Sequence, residues 1–107
     1  VDRFGCFPII GPGGAFHSAH LRCWVVYMPA GLHYPWHEHQ AEEIYLLVAG
    51  RAKFSAFGSA DHDLEAGEVV FHAANQPHAT RTGSDPVLCL VFWRADFDSP
   101  LVLSSLQ

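Results

Sequence analysis

The sequence predicts an all-β domain that closes as a small antiparallel barrel, and three observations predict it. Gly and Pro punctuate the chain at short intervals, the stretches between them are rich in Val, Phe, Tyr, Trp and Leu, and no helical heptad stripe occurs. Short strands at regular spacing, separated by turn signals, build sandwiches or barrels. At 107 residues, with 50% apolar and 16% charged, the chain suits a single domain with a buried core rather than a disordered segment.

Residues 1–20, with Gly5, Gly11, Gly13 and Gly14, read as a loosely structured N-terminal arm. Eight strands then make a barrel over residues 21–97. The apolar run Leu21–Met28 stops at Pro29-Ala30-Gly31. Tyr34–His39 follows, then Glu43–Ala49, which ends at Gly50, and Ala52–Phe57, which ends at Gly58-Ser59. His62–Glu65 runs into Ala66-Gly67, Glu68–His72 into a turn over Ala74–Pro77, and His78–Thr82 into a turn over Thr82–Pro86. Val87–Arg94 is the last strand, and residues 98–107 read as a tail.

Charge narrows the partners. Six basic against eleven acidic residues give a net charge of −5, and no basic run exists to track phosphates or an anionic membrane. Nucleic acid and membrane are therefore not expected. The longest apolar segment, Val87–Trp93, has seven residues against the ~20 of a spanning helix. The start lacks a charged and apolar leader pattern and opens on Val1 rather than Met, as a processed or trimmed piece would. Cys6, Cys23 and Cys89 are odd in number and lack CxxC spacing, which points to reduced thiols and a cytoplasmic setting.

Eight histidines are the strongest compositional feature. His37 and His39 are two apart, so on a strand both imidazoles leave one face, and Glu43 and Tyr45 repeat that spacing after a short bend. His78 begins a later strand just after Pro77 and supplies a third imidazole from across the barrel. Three imidazoles and a carboxylate suit one divalent first-row metal: iron, zinc, manganese, nickel or cobalt. His17, His20, His33, His62 and His72 read as surface or supporting residues rather than ligands. Asp61, Asp63 and Glu65 read as a solvated strand face, because a calcium loop needs further oxygen ligands and a Gly.

The spacing Gly31, five residues, His37, one, His39, three, Glu43, six, Gly50 matches the first motif of the cupin superfamily at every fixed position. The second cupin motif resembles Leu64–Glu68 through Asn75–His78, with Gly67 and His78 eleven apart; Ala66 and His72 replace prolines, and Glu68 replaces an aspartate. The resemblance implies a jelly-roll barrel, the double-stranded β-helix. Within that superfamily, His33–Tyr45 followed by Leu46–Gly50 resembles the signature stretch of the dimethylsulfoniopropionate lyases, and Ala41-Glu42-Glu43-Ile44-Tyr45 separates it from other cupins. The likeness continues through Pro77-His78-Ala79 and Phe92-Trp93, over roughly residues 31–97. Members of that family carry a helical region ahead of the barrel. This chain holds almost none of it, and reads as a trimmed piece or as a shorter relative with a more open pocket.

The resemblance implies a reaction and assigns roles. Dimethylsulfoniopropionate would be cleaved to acrylate and dimethyl sulfide by β-elimination, with His37, His39, Glu43 and His78 holding the metal and Tyr45 serving as base. Tyr34 and Trp93 match pocket aromatics of the family, and Trp36 joins them by proximity, as faces for the sulfonium cation. Trp24 and Tyr27 read as packing residues, and Glu42, of opposite strand parity to Glu43, points away from the metal. Two other classes use the same site: a metal-dependent cupin oxygenase, and a non-catalytic cupin that binds a small molecule. The apolar, Gly-rich arm would make a homodimer if laid against a neighbour's sheet.

Overall fold

The structure is a computed structural model that describes residues 4–98 and 100–104. Ten strands run in order: β1 Gly5–Ile10, β2 Arg22–Met28, β3 His33–Glu38, β4 Glu42–Ala49, β5 Arg51–Ala56, β6 His62–Glu65, β7 Val69–His72, β8 His78–Thr82, β9 Val87–Arg94 and β10 Val102–Leu103. The eight strands expected from sequence are β2 to β9, each within one residue of its expected bounds.

The ends of the chain require a correction. The arm, expected to be loose, contains β1, which pairs antiparallel with β2 as an edge strand. Pro8 is tolerated there because an edge strand leaves one row of backbone groups unpaired, and the register shifts between Pro8 and Ile10. The tail contains β10, which pairs with β3.

The barrel is two facing five-stranded antiparallel sheets, in the orders β1-β2-β9-β4-β7 and β10-β3-β8-β5-β6. The order is that of the expected jelly-roll barrel, whose strands divide between two facing sheets. Only the β1–β2 and β5–β6 connections stay within a sheet; every other turn carries the chain across to the opposite one. That alternation makes a jelly roll rather than a meander. Among the described residues no helix is long and apolar enough to cross a membrane.

The interior divides along its length. Val26, Met28, Leu47, Val87, Cys89 and Val91 of the first sheet pack against Ala52, Phe54 and Leu64 of the second. Following β4 back through Tyr45 to Glu43, and β9 onward to Trp93, the inward positions become polar. Two tight features hold the frame. Gly50 has φ of +90°, and a Cβ there would lie 2.3 Å from the Pro86 carbonyl oxygen. Thr82 Oγ1 accepts from the Leu32 N–H at 2.8 Å and donates to the Pro29 carbonyl at 2.6 Å, tying the β2–β3 turn to β8.

Candidate metal centre

Strand register assembles the polar end. In the second sheet His37 is the cross-strand partner of His78. In the first, Glu43 is the partner of both His72 and Trp93. His39 lies in the bend between β3 and β4, where its carbonyl accepts from the Asn75 N–H at 2.7 Å. The two sheets thus present facing rungs of side chains, with His39 closing one side.

Each of the three expected imidazole ligands is fixed in one tautomer. Nδ1 of His37 lies 2.7 Å from the Pro35 carbonyl, that of His39 2.8 Å from Ala41, and that of His78 2.8 Å from Gln76. A carbonyl only accepts, so each Nδ1 carries the proton, and in the neutral ring each Nε2 keeps its lone pair. His37, His39 and His78 are buried and offer donor atoms within 4.8 Å of one another. Nε2 of His39 and of His78 are buried without a hydrogen-bond partner. Orphaned imidazole lone pairs at that density fit a divalent cation, which would satisfy them together.

Glu43 completes the set. Its Oε2 is 3.4 Å from His39 Nε2, and its Oε1 is 3.1 Å from His78 Nε2. The same carboxylate accepts from Trp93 Nε1 at 2.8 Å. Burial alone would raise its pKa, but the surrounding imidazoles His39, His72 and His78 hold it well below the ordinary carboxylate range. His37 is driven down to about 4 by burial and by neighbouring His78. Burial also lowers His39, yet the Glu43 carboxylate beside it reverses the balance and leaves it raised. A neutral His37 beside an ionised Glu43 is the protonation state that metal ligation requires.

Around these four, Tyr34 stacks on His37 with ring centroids 4.1 Å apart and planes at 11°. Trp93 leans on His39 at 4.5 Å and meets Trp24 edge to face at 5.2 Å. A register shift between Tyr34 and His37 lets both face inward despite their opposite parity. Trp36, adjacent to His37 on the strand, alternates to the other side and is half-buried. Tyr45 is buried one pleat beyond Glu43, against Phe54 and His72. Its phenol is pushed well above 10 by burial and by the Glu43 charge. Glu42 turns outward and pairs with Arg94.

His17, His20, His33 and His62 are exposed, as are Asp61, Asp63 and Glu65. His72, expected among the surface or supporting residues, is fully buried, with Nδ1 3.2 Å from Glu43 Oε1. The signal lay in β7, where His72 shares the face of Val70, a residue packed on the core.

The dimethylsulfoniopropionate lyase family profile matches residues 1–89. The dimethylsulfoniopropionate lyase DddQ of Ruegeria pomeroyi is 50% identical over 104 residues, which are 97% of this chain and 52% of that protein. Its crystal structure superposes with a TM-score of 0.91, covering 95% of this chain and 52% of its own. A chain from the crystal structures of the lyases RdDddP and RnDddQII is 46% identical, with a TM-score of 0.90 over 96% of this chain and 53% of that one. A cupin-like protein of Thermotoga maritima, 17% identical, shares the fold with a TM-score of 0.79 over 97% of this chain and 77% of its own. The chain spans about half the length of the lyases it matches. With the profile, the identities and the superposed fold in agreement, this all-β cupin chain belongs to the dimethylsulfoniopropionate lyase family.

Proposed function

We propose that the chain is the cupin core of a metal-dependent lyase that converts dimethylsulfoniopropionate to acrylate, dimethyl sulfide and a proton. The observation that carries this reading is three buried imidazoles, each locked by a carbonyl at Nδ1, gathered beside an ionised Glu43. His37, His39, His78 and Glu43 would hold one divalent transition metal, whether iron, zinc, manganese, nickel or cobalt. Bound there, the cation supplies Lewis-acid neutralisation of a substrate carboxylate.

The remaining work falls to the chain's own groups. Tyr45 takes the proton from the carbon beside the substrate carboxylate. The C–H pair becomes the new C=C bond as the C–S bond breaks, and sulfur leaves with its electron pair as neutral dimethyl sulfide. Without a nearby positive charge, burial and Glu43 keep the Tyr45 phenol protonated, which is the electrostatic reason that this base needs a cationic site. Tyr34 and Trp93 border the cluster and offer aromatic faces to the sulfonium, worth about 0.5–2 kcal/mol each when desolvated. Trp36 is the third aromatic of this reading, from the next pleat. Cys6, Cys23 and Cys89 are all free thiols, which fits a reducing, cytoplasmic setting.

Headspace assay of dimethyl sulfide from the metal-reconstituted protein tests the reading. Release is expected from the wild type, with Tyr45→Phe lowering it about 100- to 10,000-fold while keeping its metal. His78→Ala should lose metal and release together. A folded, metal-loaded wild type that releases none would overturn the assignment.

A further inference from the structure

His72 lies within the cluster, yet the four-ligand reading gives it no role. It ends β7, is fully buried, and is the cross-strand partner of Glu43. Its Nδ1 stands 3.2 Å from Glu43 Oε1, and its ring lies flat on His78, with centroids 3.9 Å apart and planes at 14°. With Glu43 and His78 it forms a second group whose donor atoms lie within 4.8 Å. Proximity alone would make it another ligand.

The stacking argues against that. An imidazole binds a metal through a lone pair in its ring plane, and two parallel stacked rings aim those lone pairs side by side rather than at one point. The carboxylate, by contrast, has a use for a donor. Trp93 Nε1 occupies Oε2 at 2.8 Å, and the Oε1 that faces His78 is the one within reach of His72. We propose that His72 is a positioning residue: its Nδ1–H holds Glu43 Oε1, and its ring face braces His78, so both ligands are fixed before the metal arrives. The inference rests on the metal reading above. Outer donors of this kind orient first ligands, and losing one costs typically 10- to 100-fold in metal affinity. His72 Nε2, like those of His39 and His78, is buried without a hydrogen-bond partner, and with Nδ1 donating it carries no proton; the stacked ring plane, not this lone pair, sets His72 apart from the ligands.

Cobalt titration of the metal-free protein, read by visible absorption, tests the role with two amide variants. His72→Asn places an amide nitrogen where Nδ1 stands, and His72→Gln places it near Nε2, away from Glu43. His72→Asn should bind Co²⁺ within about threefold of the wild type and with the same absorption band, while His72→Gln binds about 10- to 100-fold more weakly with a shifted band. Equal affinities and spectra in the two variants would overturn the proposal. A wild type that binds cobalt poorly or not at all would overturn the metal reading and this inference with it.

A second measurement needs no variant. Long-range ¹H–¹⁵N spectra of the zinc-loaded wild type should give His72 as the Nδ1–H tautomer with neither nitrogen metal-shifted. A metal-shifted His72 nitrogen, or the Nε2–H tautomer, would overturn the positioning role even if a variant failed to fold.

Discussion

Cys89 sits in the middle of β9 with no exposed surface, and burial pushes its thiol from 9.0 up to about 12. A group whose folded pKa is raised contributes stability that is fully present below its unfolded value and is lost as pH rises toward the folded one. Unfolding free energy should therefore fall between pH 9 and 12, with this thiol contributing up to about 1.4 kcal/mol per pH unit. Denaturant melts of wild type and Cys89→Ala across that window isolate the effect, because the variant should fall less steeply; parallel slopes would refute it. At this scale the sequence was informative where chemistry is local. His37, His39 and Glu43 lie within seven residues, and one short bend between His39 and Glu43 is enough to bring them together. His72 was not legible in the same way, since its partner Glu43 is 29 residues distant and only strand register brings the two together.

Among the elements, the turn at Gly50 has the least freedom. Its left-handed φ and the Pro86 carbonyl oxygen 2.3 Å from a would-be Cβ act together. Gly50→Ala should cost about 3 kcal/mol or more, lowering Tm by roughly 10 °C or more in thermal unfolding. A Tm within about 2 °C of wild type would show that the β4–β5 turn relaxes freely. Strands β2 to β9 were readable because each is an apolar or alternating run cut by Gly or Pro. β1 and β10 were not. β1 carries Pro8 and starts at a glycine, and β10 is two residues long, so each exists as a strand only because a neighbour lends it hydrogen bonds. Likewise the bulge that turns both Tyr34 and His37 inward is invisible to a period-two reading.

Over the whole molecule, the proposed ligands join the two sheets: His37 and His78 from one, Glu43 from the other, with His39 between them. A cation bound only by the folded state stabilises it by mass action, about 2.7 kcal/mol at a free concentration 100 times its Kd. Zinc or manganese should therefore raise Tm by roughly 10 °C, chelation should reverse the rise, and His78→Ala should abolish it. A Tm unmoved by any first-row divalent ion would contradict the metal centre. The all-β class was legible from punctuation and composition, and the jelly roll from motif spacing. The strand order within each sheet was not, because it depends on which turns cross between them.

Strand β3 has a consequence for synthesis on the ribosome. It carries His37, with His39 just beyond its end, and its two neighbours are β8, which begins 41 residues after His37, and β10, which begins 65 residues after it. While the chain is emerging, the two histidines therefore ride on a segment whose backbone has no native strand to pair with. Until residue 78 and then residue 102 are free of the exit tunnel, that segment is open to stray metal and to edge pairing with other nascent chains. The stretch around residue 102 is thus the one that finally seals the strand carrying His37.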